Sequence, residues 1–241
     1  MQSVYDLASQ IEHCSQDGYL TNLLNDIFRQ LDITSFIFVT MLERSKDPST
    51  YRYHIGCNPN WYNVYNKQKQ HVIDPFLVYA RGFSKLLLLS EVKSQASQSP
   101  EQIDFFSNLE AHGFRSGMVV PAHAAGNRIG MLLVGTDATD GDEQLLKHRM
   151  ILRAISMSLL EWWIDRIVPK NLNIQALTKE HVKMLKLASQ EGVTSREIAI
   201  SLNMTDSQVS NRFRVINDIF HVRNYKDAAA KALELGVIKP F

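Results

Sequence analysis

Cysteine is scarce in this chain, with Cys14 and Cys57 the only two among 241 residues. Neither lies in a Cys-x-x-Cys pair or a Cys/His cluster. The spacing therefore supports neither a zinc site nor a disulfide framework, and two free thiols in a reducing compartment are expected. Long hydrophobic runs are missing as well. Leu86 to Leu89 is among the longest, against about 20 apolar residues for a membrane-spanning helix. Met1 to Gln16 is polar and mixed in charge, unlike a secretory leader. A cytoplasmic protein with no membrane partner is expected.

Catalytic signatures are also lacking. There is no Gly-x-Ser-x-Gly, no phosphate loop and no His-Glu-x-x-His, and the lone Ser90-x-x-Lys93 reads as a chance match. The chain is expected not to be an enzyme and to hold no metal or cofactor. Nor does it show the acidic pair, central Asp and strand-ending Lys on alternating strands and helices that a phosphoacceptor receiver requires. Internal repeats and low-complexity tracts are absent.

What is present is enough apolar residue for two packed cores. The chain is 45% hydrophobic and 21% charged, too apolar to remain disordered. Formal net charge is only +1, but it is unevenly placed. From Lys170 onward there are 11 Lys and Arg against 7 Asp and Glu, a net +4; the preceding residues carry 15 against 18, a net −3. The basic excess lies in the smaller C-terminal part, as a nucleic-acid-binding module would have it.

Apolar residues near helical spacing predict helices over Tyr5 to Ile11 and Tyr19 to Leu31. Phe36 to Leu42 is β-branched and aromatic, which suits a buried strand, and Tyr51 to Ile55 can pair with it across the Asp47-Pro48 turn. Asp74 as N-cap before Pro75 predicts a short helix through Tyr79. Another helix is predicted from Pro100 to His112. Strands over Gly117 to Ala122 and Ile129 to Gly135 follow, joined through the Gly126-Asn127 hairpin signal. Asp142 to Val168 reads as one long helix, apolar nearly all round. It either lies wholly inside its domain or meets a second subunit on one side. Pro169 to Gln175 is polar and non-periodic and is expected to be the linker.

Caps place four short helices after it. Thr178 opens the first, which ends near Gly192; Thr194-Ser195-Arg196-Glu197 and Thr205-Asp206-Ser207-Gln208 are capping boxes; Asn224 opens the last, which ends near Gly236. Glu197 to Leu202, the Asn203-Met204 turn and a helix carrying Val209, Phe213 and Ile216 make a helix-turn-helix arrangement. The other face of that second helix presents Ser207, Gln208, Ser210, Asn211, Arg212 and Arg214, groups suited to base edges and phosphates of double-stranded DNA. A solvated polar face is the alternative reading.

Leu177-Thr178, Glu197-Ile198-Ala199, Val209, Val222-Arg223-Asn224 and the run Ala232 to Ile238 together resemble the LuxR-type DNA-binding module. Arg212 and Ile219 stand where that family often has His and Lys. Upstream, Trp61-x3-Tyr65-x8-Asp74-Pro75 and Gly113-Phe114-Arg115-Ser116-Gly117 resemble the autoinducer-binding domain of quorum-sensing LuxR-type regulators. The resemblance implies an α+β chain. Residues 1–168 would be an α-β-α sandwich around an antiparallel sheet, for ligand binding and dimerisation, and 176–241 an all-α four-helix helix-turn-helix domain. It implies an N-acyl homoserine lactone, or a related small molecule, as signal ligand near Cys57, Trp61, Tyr65, Val72, Asp74 and Leu133. Cys57 stands where the family carries a Tyr donor, Leu89 where it has a second Trp, and Leu133 where Ser or Thr is common.

Such a ligand has an apolar tail and a compact polar head, so its site needs one buried acceptor, one or two donors and apolar walls. Asp74 can accept from the amide, Trp61 can donate to the lactone carbonyl, and Tyr65 can form a wall; ordinary core and capping roles are the alternatives. A ligand-responsive regulator binding an inverted repeat as a homodimer is expected. The competing expectation is a signal-independent or inhibitory regulator, whose N-terminal domain serves dimerisation or a heteromeric contact with another regulator.

Overall fold

The computed structural model describes residues 2–42, 51–56, 59–95, 99–124, 127–167 and 172–239. The chain divides into two compact units, residues 1–124 with 129–163, and residues 125–128 with 164–241. The first opens with helices α1 (Val4–Ala8) and α2 (Asp17–Gln30), then strands β1 (Ser35–Leu42) and β2 (Arg52–Gly56). Helices α3 (Pro59–Lys67) and α4 (Pro75–Gly82), strand β3 (Leu87–Leu88), and helices α5 (Leu89–Gln95) and α6 (Pro100–Ala111) follow. Strands β4 (Ser116–His123) and β5 (Arg128–Thr136) and helices α7 (Gly141–Lys147) and α8 (Arg149–Ile167) complete it.

The strands form one sheet in the order β2-β1-β5-β4-β3. Antiparallel pairing sets Phe38 opposite His54 in β1 and β2, and Val120 opposite Leu132 in β4 and β5. Because side chains alternate across a strand, Ile37, Val39 and Met41 share one face with Val119, Met131 and Leu133, under α3 to α6. The opposite face meets α2 and α8. There Phe36 lies 4.5 Å from Phe28, the Ser156 hydroxyl donates to the Val120 carbonyl at 2.9 Å, and the Trp162 indole donates to the Cys14 carbonyl at 2.9 Å. This is an α-β-α sandwich, and with the helical second unit the chain is α+β.

Several elements depart from the sequence reading. The long helix is two, meeting at His148, whose N–H closes a tight turn onto the Leu145 carbonyl at 3.1 Å. The bend follows from the start of α7 being seated on the sheet, where a side chain at Gly141 would press into Ser116 and Thr136. α3 was missed because Asn, Tyr and Val are indifferent helix formers; burial of Trp61 and Tyr65 makes it a helix. β3 is too short for a period to show. α1 ends earlier than predicted and α4 runs to Gly82. The Asp47-Pro48 turn, Gly126, Val168, Pro169 and Cys57 lie outside the described residues.

The second unit holds α9 (Lys179–Ala188), α10 (Ser195–Ser201), α11 (Asp206–Phe220) and α12 (Tyr225–Glu234). Each predicted cap forms: Thr194 and Thr205 accept from the Glu197 and Gln208 amides, and Asn224 from the Asp227 amide. Thr178 adds a capping box of its own with His181. Gly236 takes the positive φ that ends α12 without strain, whereas α9 ends at Ala188, earlier than expected, and Gly192 takes its positive φ in the turn that follows. Val209, Phe213, Ile216 and Phe220 of α11 close a core with Met184, Leu185 and Ile198. Leu172, assigned to the linker by sequence, packs against this core.

One strand position is sterically exacting. A Cβ at Gly135 would lie 2.5 Å from the ring of buried Phe114 and 2.6 Å from the Gly113 carbonyl oxygen. Gly135→Ala is therefore expected to cost roughly 1–3 kcal/mol, lowering the melting temperature by about 2–4 °C per kcal/mol. Thermal unfolding checks this, and a variant melting with the parent would show that the 113–114 turn yields freely.

Candidate ligand cavity and DNA-facing helix

The Trp61-x3-Tyr65 spacing places both rings on one side of α3, one turn apart. Both are buried, with ring centroids 4.6 Å apart and planes tilted by 32°. Asp74 caps α4, its Oδ1 accepting from the Phe76 amide at 2.8 Å and the Leu77 amide at 3.3 Å. Its Oδ2 accepts from the Tyr65 hydroxyl at 2.7 Å. The cap and the buried polar group, alternatives in the sequence, are thus one residue doing both.

Around this pair Ile37, Val39, Tyr53, Phe76, Leu77, Phe105, Leu109, Met131 and Leu133 close a small cavity. Its free volume is about 10 Å³, the room of roughly one water. The cavity contains one donor with nothing to bond to: the Trp61 indole N–H is buried without a hydrogen-bond partner. It also contains spare acceptor capacity, since a carboxylate offers about four lone-pair positions and Asp74 uses three of them.

Burial raises the Asp74 carboxyl pKa to about 6, against the lowering pull of Tyr65, the two amides and Arg81. Burial likewise raises the Tyr65 hydroxyl well above its usual range, with the Asp74 charge adding to the effect. Tyr53 is raised too, by burial first and then by Tyr62, Tyr51 and Asp74. Both hydroxyls stay protonated at physiological pH, and that of Tyr65 donates to Asp74.

Of the residues expected around a ligand, the structure gathers Trp61, Tyr65, Asp74 and Leu133. Val72 is placed elsewhere: it lies on the surface, 70% exposed, because the turn Gln70–Val72 directs it outward. Leu89 is buried in the surrounding core but does not line the cavity. Tyr53 and Met131 were missed. Their signal was strand alternation, since Tyr53 shares a face with Ile55, and Met131 with Leu133.

The outer face of α11 presents Ser207, Ser210, Asn211 and Arg214, all exposed. Two neighbours proposed for the same face are engaged within the module instead. Gln208 accepts the Thr205 amide at 2.9 Å in its capping box, and Arg212 pairs with Glu180 of α9 at 2.7 Å. Helical geometry explains the division: 208 and 212 lie one turn apart on the flank toward α9, away from 207, 211 and 214.

A sandwich domain with a polar pair inside an apolar cavity, in a chain that also carries a helix-turn-helix, defines a ligand-binding regulator class. The family model for the autoinducer binding domain matches residues 19–161. The transcriptional activator protein AhyR of Aeromonas hydrophila is 28% identical over 189 residues, covering 76% of this chain and 72% of that protein. AsaR of Aeromonas salmonicida matches to the same extent. Among solved structures, SdiA in complex with octanoyl-rac-glycerol superposes with a TM-score of 0.67 at 16% identity, covering 100% of both chains. CepR2 of Burkholderia cenocepacia gives 0.55 at 14% identity over 68% of this chain and 94% of its own. The chain belongs to the autoinducer-binding family of LuxR-type quorum-sensing regulators.

Asp74 predicts a pH signature. Its carboxyl is raised to about 6 in the folded chain against an ordinary value of 3.8, so between these values only the folded chain keeps the proton. Its contribution to stability is full below about pH 4 and declines as pH rises to about 6, by a few kcal/mol at about 1.4 per pKa unit. Asp74→Asn keeps an acceptor for the cap and a partner for Tyr65. It should remove this decline and gain stability relative to the parent as pH rises from 4 to 6. Urea unfolding at several pH values measures it; parallel curves for parent and variant would refute the assignment.

Proposed function

We propose that this chain is a signal-responsive transcription regulator. Its first unit encloses an N-acyl homoserine lactone or a related acylated amide, and its second binds an inverted-repeat site on double-stranded DNA as a homodimer. The Trp61 N–H carries the reading: it is a buried donor with no partner, beside a carboxylate with acceptor capacity left. An unmade buried hydrogen bond costs roughly 1–3 kcal/mol. A ligand carbonyl that accepts from Trp61 while its amide N–H donates to Asp74 recovers that cost, and the acyl tail meets Phe76, Phe105 and Met131. The relatives support the same class. AhyR and AsaR are named transcriptional activators, CepR2 is described as N-acylhomoserine lactone dependent, and SdiA was solved with an octanoyl glycerol.

A ligand that binds the folded unit alone stabilises it by about 2.7 kcal/mol at one hundred times its Kd. Response then follows from the abundance of folded, dimeric protein. On the DNA side Arg214 and Asn211 are the base-edge readers, with Ser207 and Ser210 beside them. Gln208 and Arg212 keep α11 in register with Thr205 and Glu180.

A second reading has its own observation. The cavity's 10 Å³ admits no acyl chain until side chains separate, which favours a signal-independent or inhibitory regulator whose first unit only dimerises or pairs with another regulator. Thermal shift against a panel of acyl-homoserine lactones separates the two. The first reading expects a rise of about 5–10 °C with the right ligand. No shift, no co-purified small molecule and unchanged operator binding would establish the second.

Trp61→Phe should abolish most of that shift at a modest cost in ligand-free melting temperature, because the lost ring volume is partly offset by removal of an unpaired buried N–H. A large drop without ligand would reduce Trp61 to core packing. Arg214→Ala should weaken DNA binding by about 1–3 kcal/mol without lowering the melting temperature. Arg212→Ala should instead cost up to about 1 kcal/mol of stability, and gel-shift and melting data together discriminate them.

A further inference from the structure

On the opposite face of the sheet from the Trp61–Asp74 cavity lies a half-open trough of about 390 Å³ beside strand β3. Met118 belongs to its floor, whereas its neighbour Val119 faces the other way into the cavity core. Leu88 and the 39% exposed Leu146 continue the apolar surface. Lys85, Arg149 and Arg153 line it as well. Arg149 and Arg153 stand one turn apart on α8 and donate to the Leu146 and Ser84 carbonyls, at 3.3 and 3.2 Å. A guanidinium carries five N–H donors, so both keep most of their capacity. The one acid in the lining, Glu91, has its Oε2 committed to the Leu88 amide at 2.9 Å. That bond caps the start of α5.

We infer that this trough is a second ligand site, for a medium-chain carboxylate whose head lies between Arg149, Arg153 and Lys85 and whose tail lies along Leu88, Met118 and Leu146. Its volume is within the range of small-molecule sites, and an apolar floor with few orienting polar groups is their usual construction. The surplus of positive charge selects an anion, and the floor selects one with a hydrocarbon tail. The site shares no residue with the Trp61–Asp74 cavity and does not depend on what that cavity holds.

Titration calorimetry of sodium decanoate into the full chain at low salt tests it. Saturable binding is expected, weakening with added salt and strengthening from hexanoate to decanoate by up to about fourfold per buried methylene. Arg149→Gln/Arg153→Gln should lose about five- to twentyfold in affinity, at up to roughly fivefold per exposed pair. Decanol should bind correspondingly more weakly, and Trp61→Phe/Asp74→Asn should retain the decanoate site. Equal binding of decanol, undiminished binding by a folded arginine double variant, or loss of binding in the Trp61/Asp74 variant would each overturn the proposal. So would a double variant that changes self-association in sedimentation but not decanoate affinity, which would make this face a contact between copies.

Discussion

The first unit is organised around the cost of burying one charge. Asp74 is 4% exposed, and a carboxylate removed from water must be surrounded by donors or give up its ionisation. The chain supplies three donors from two helices, the Tyr65 hydroxyl from α3 and two amides from the start of α4. That requirement fixes the approach of α3 to α4 over the sheet. It also brings Trp61, one turn from Tyr65, to the same small space. The cavity's composition, one idle donor and one partly used acceptor inside hydrocarbon, follows from this single arrangement.

Around it, the sheet does plain mechanical work. Alternation on β1, β4 and β5 sends one row of side chains to the cavity and the next row to α2 and α8. A substitution on one row is felt on one side only. This separation is what lets the face beside α8 carry an arginine pair and a trough without disturbing the polar centre under α3 to α6.

Local signals made the second unit almost wholly legible. Caps at Thr194, Thr205 and Asn224 are satisfied within three residues of themselves, so no tertiary knowledge is needed to place them. The first unit was legible where periodicity ran long enough, as in α2, β1, β4 and β5. It was opaque where tertiary burial overrode propensity. α3 is built from residues indifferent to helix and is held by its aromatic face, and β3 is too short to have a period. The family pattern pointed to Trp61, Tyr65 and Asp74, and the Asp-Pro pair to the Asp74 cap, but only the structure could show that Asp74 also accepts from Tyr65 and that the Trp61 N–H lacks a partner. Val72 was misjudged because a tight turn reverses which way a residue faces, and spacing counts carry no such direction.

The division of α11 has a consequence for how such a module changes over generations. Gln208 is committed to the Thr205 cap, Arg212 to Glu180 of α9, and the Ser207 hydroxyl bonds that of Thr205, whereas Ser210, Asn211 and Arg214 stand exposed on the outer face. In the proposed DNA-binding role, Ser210, Asn211 and Arg214 would therefore read an operator from a surface the fold does not need. In that role target preference can be redesigned one exposed side chain at a time, with the helix core of Val209, Phe213, Ile216 and Phe220 left in place.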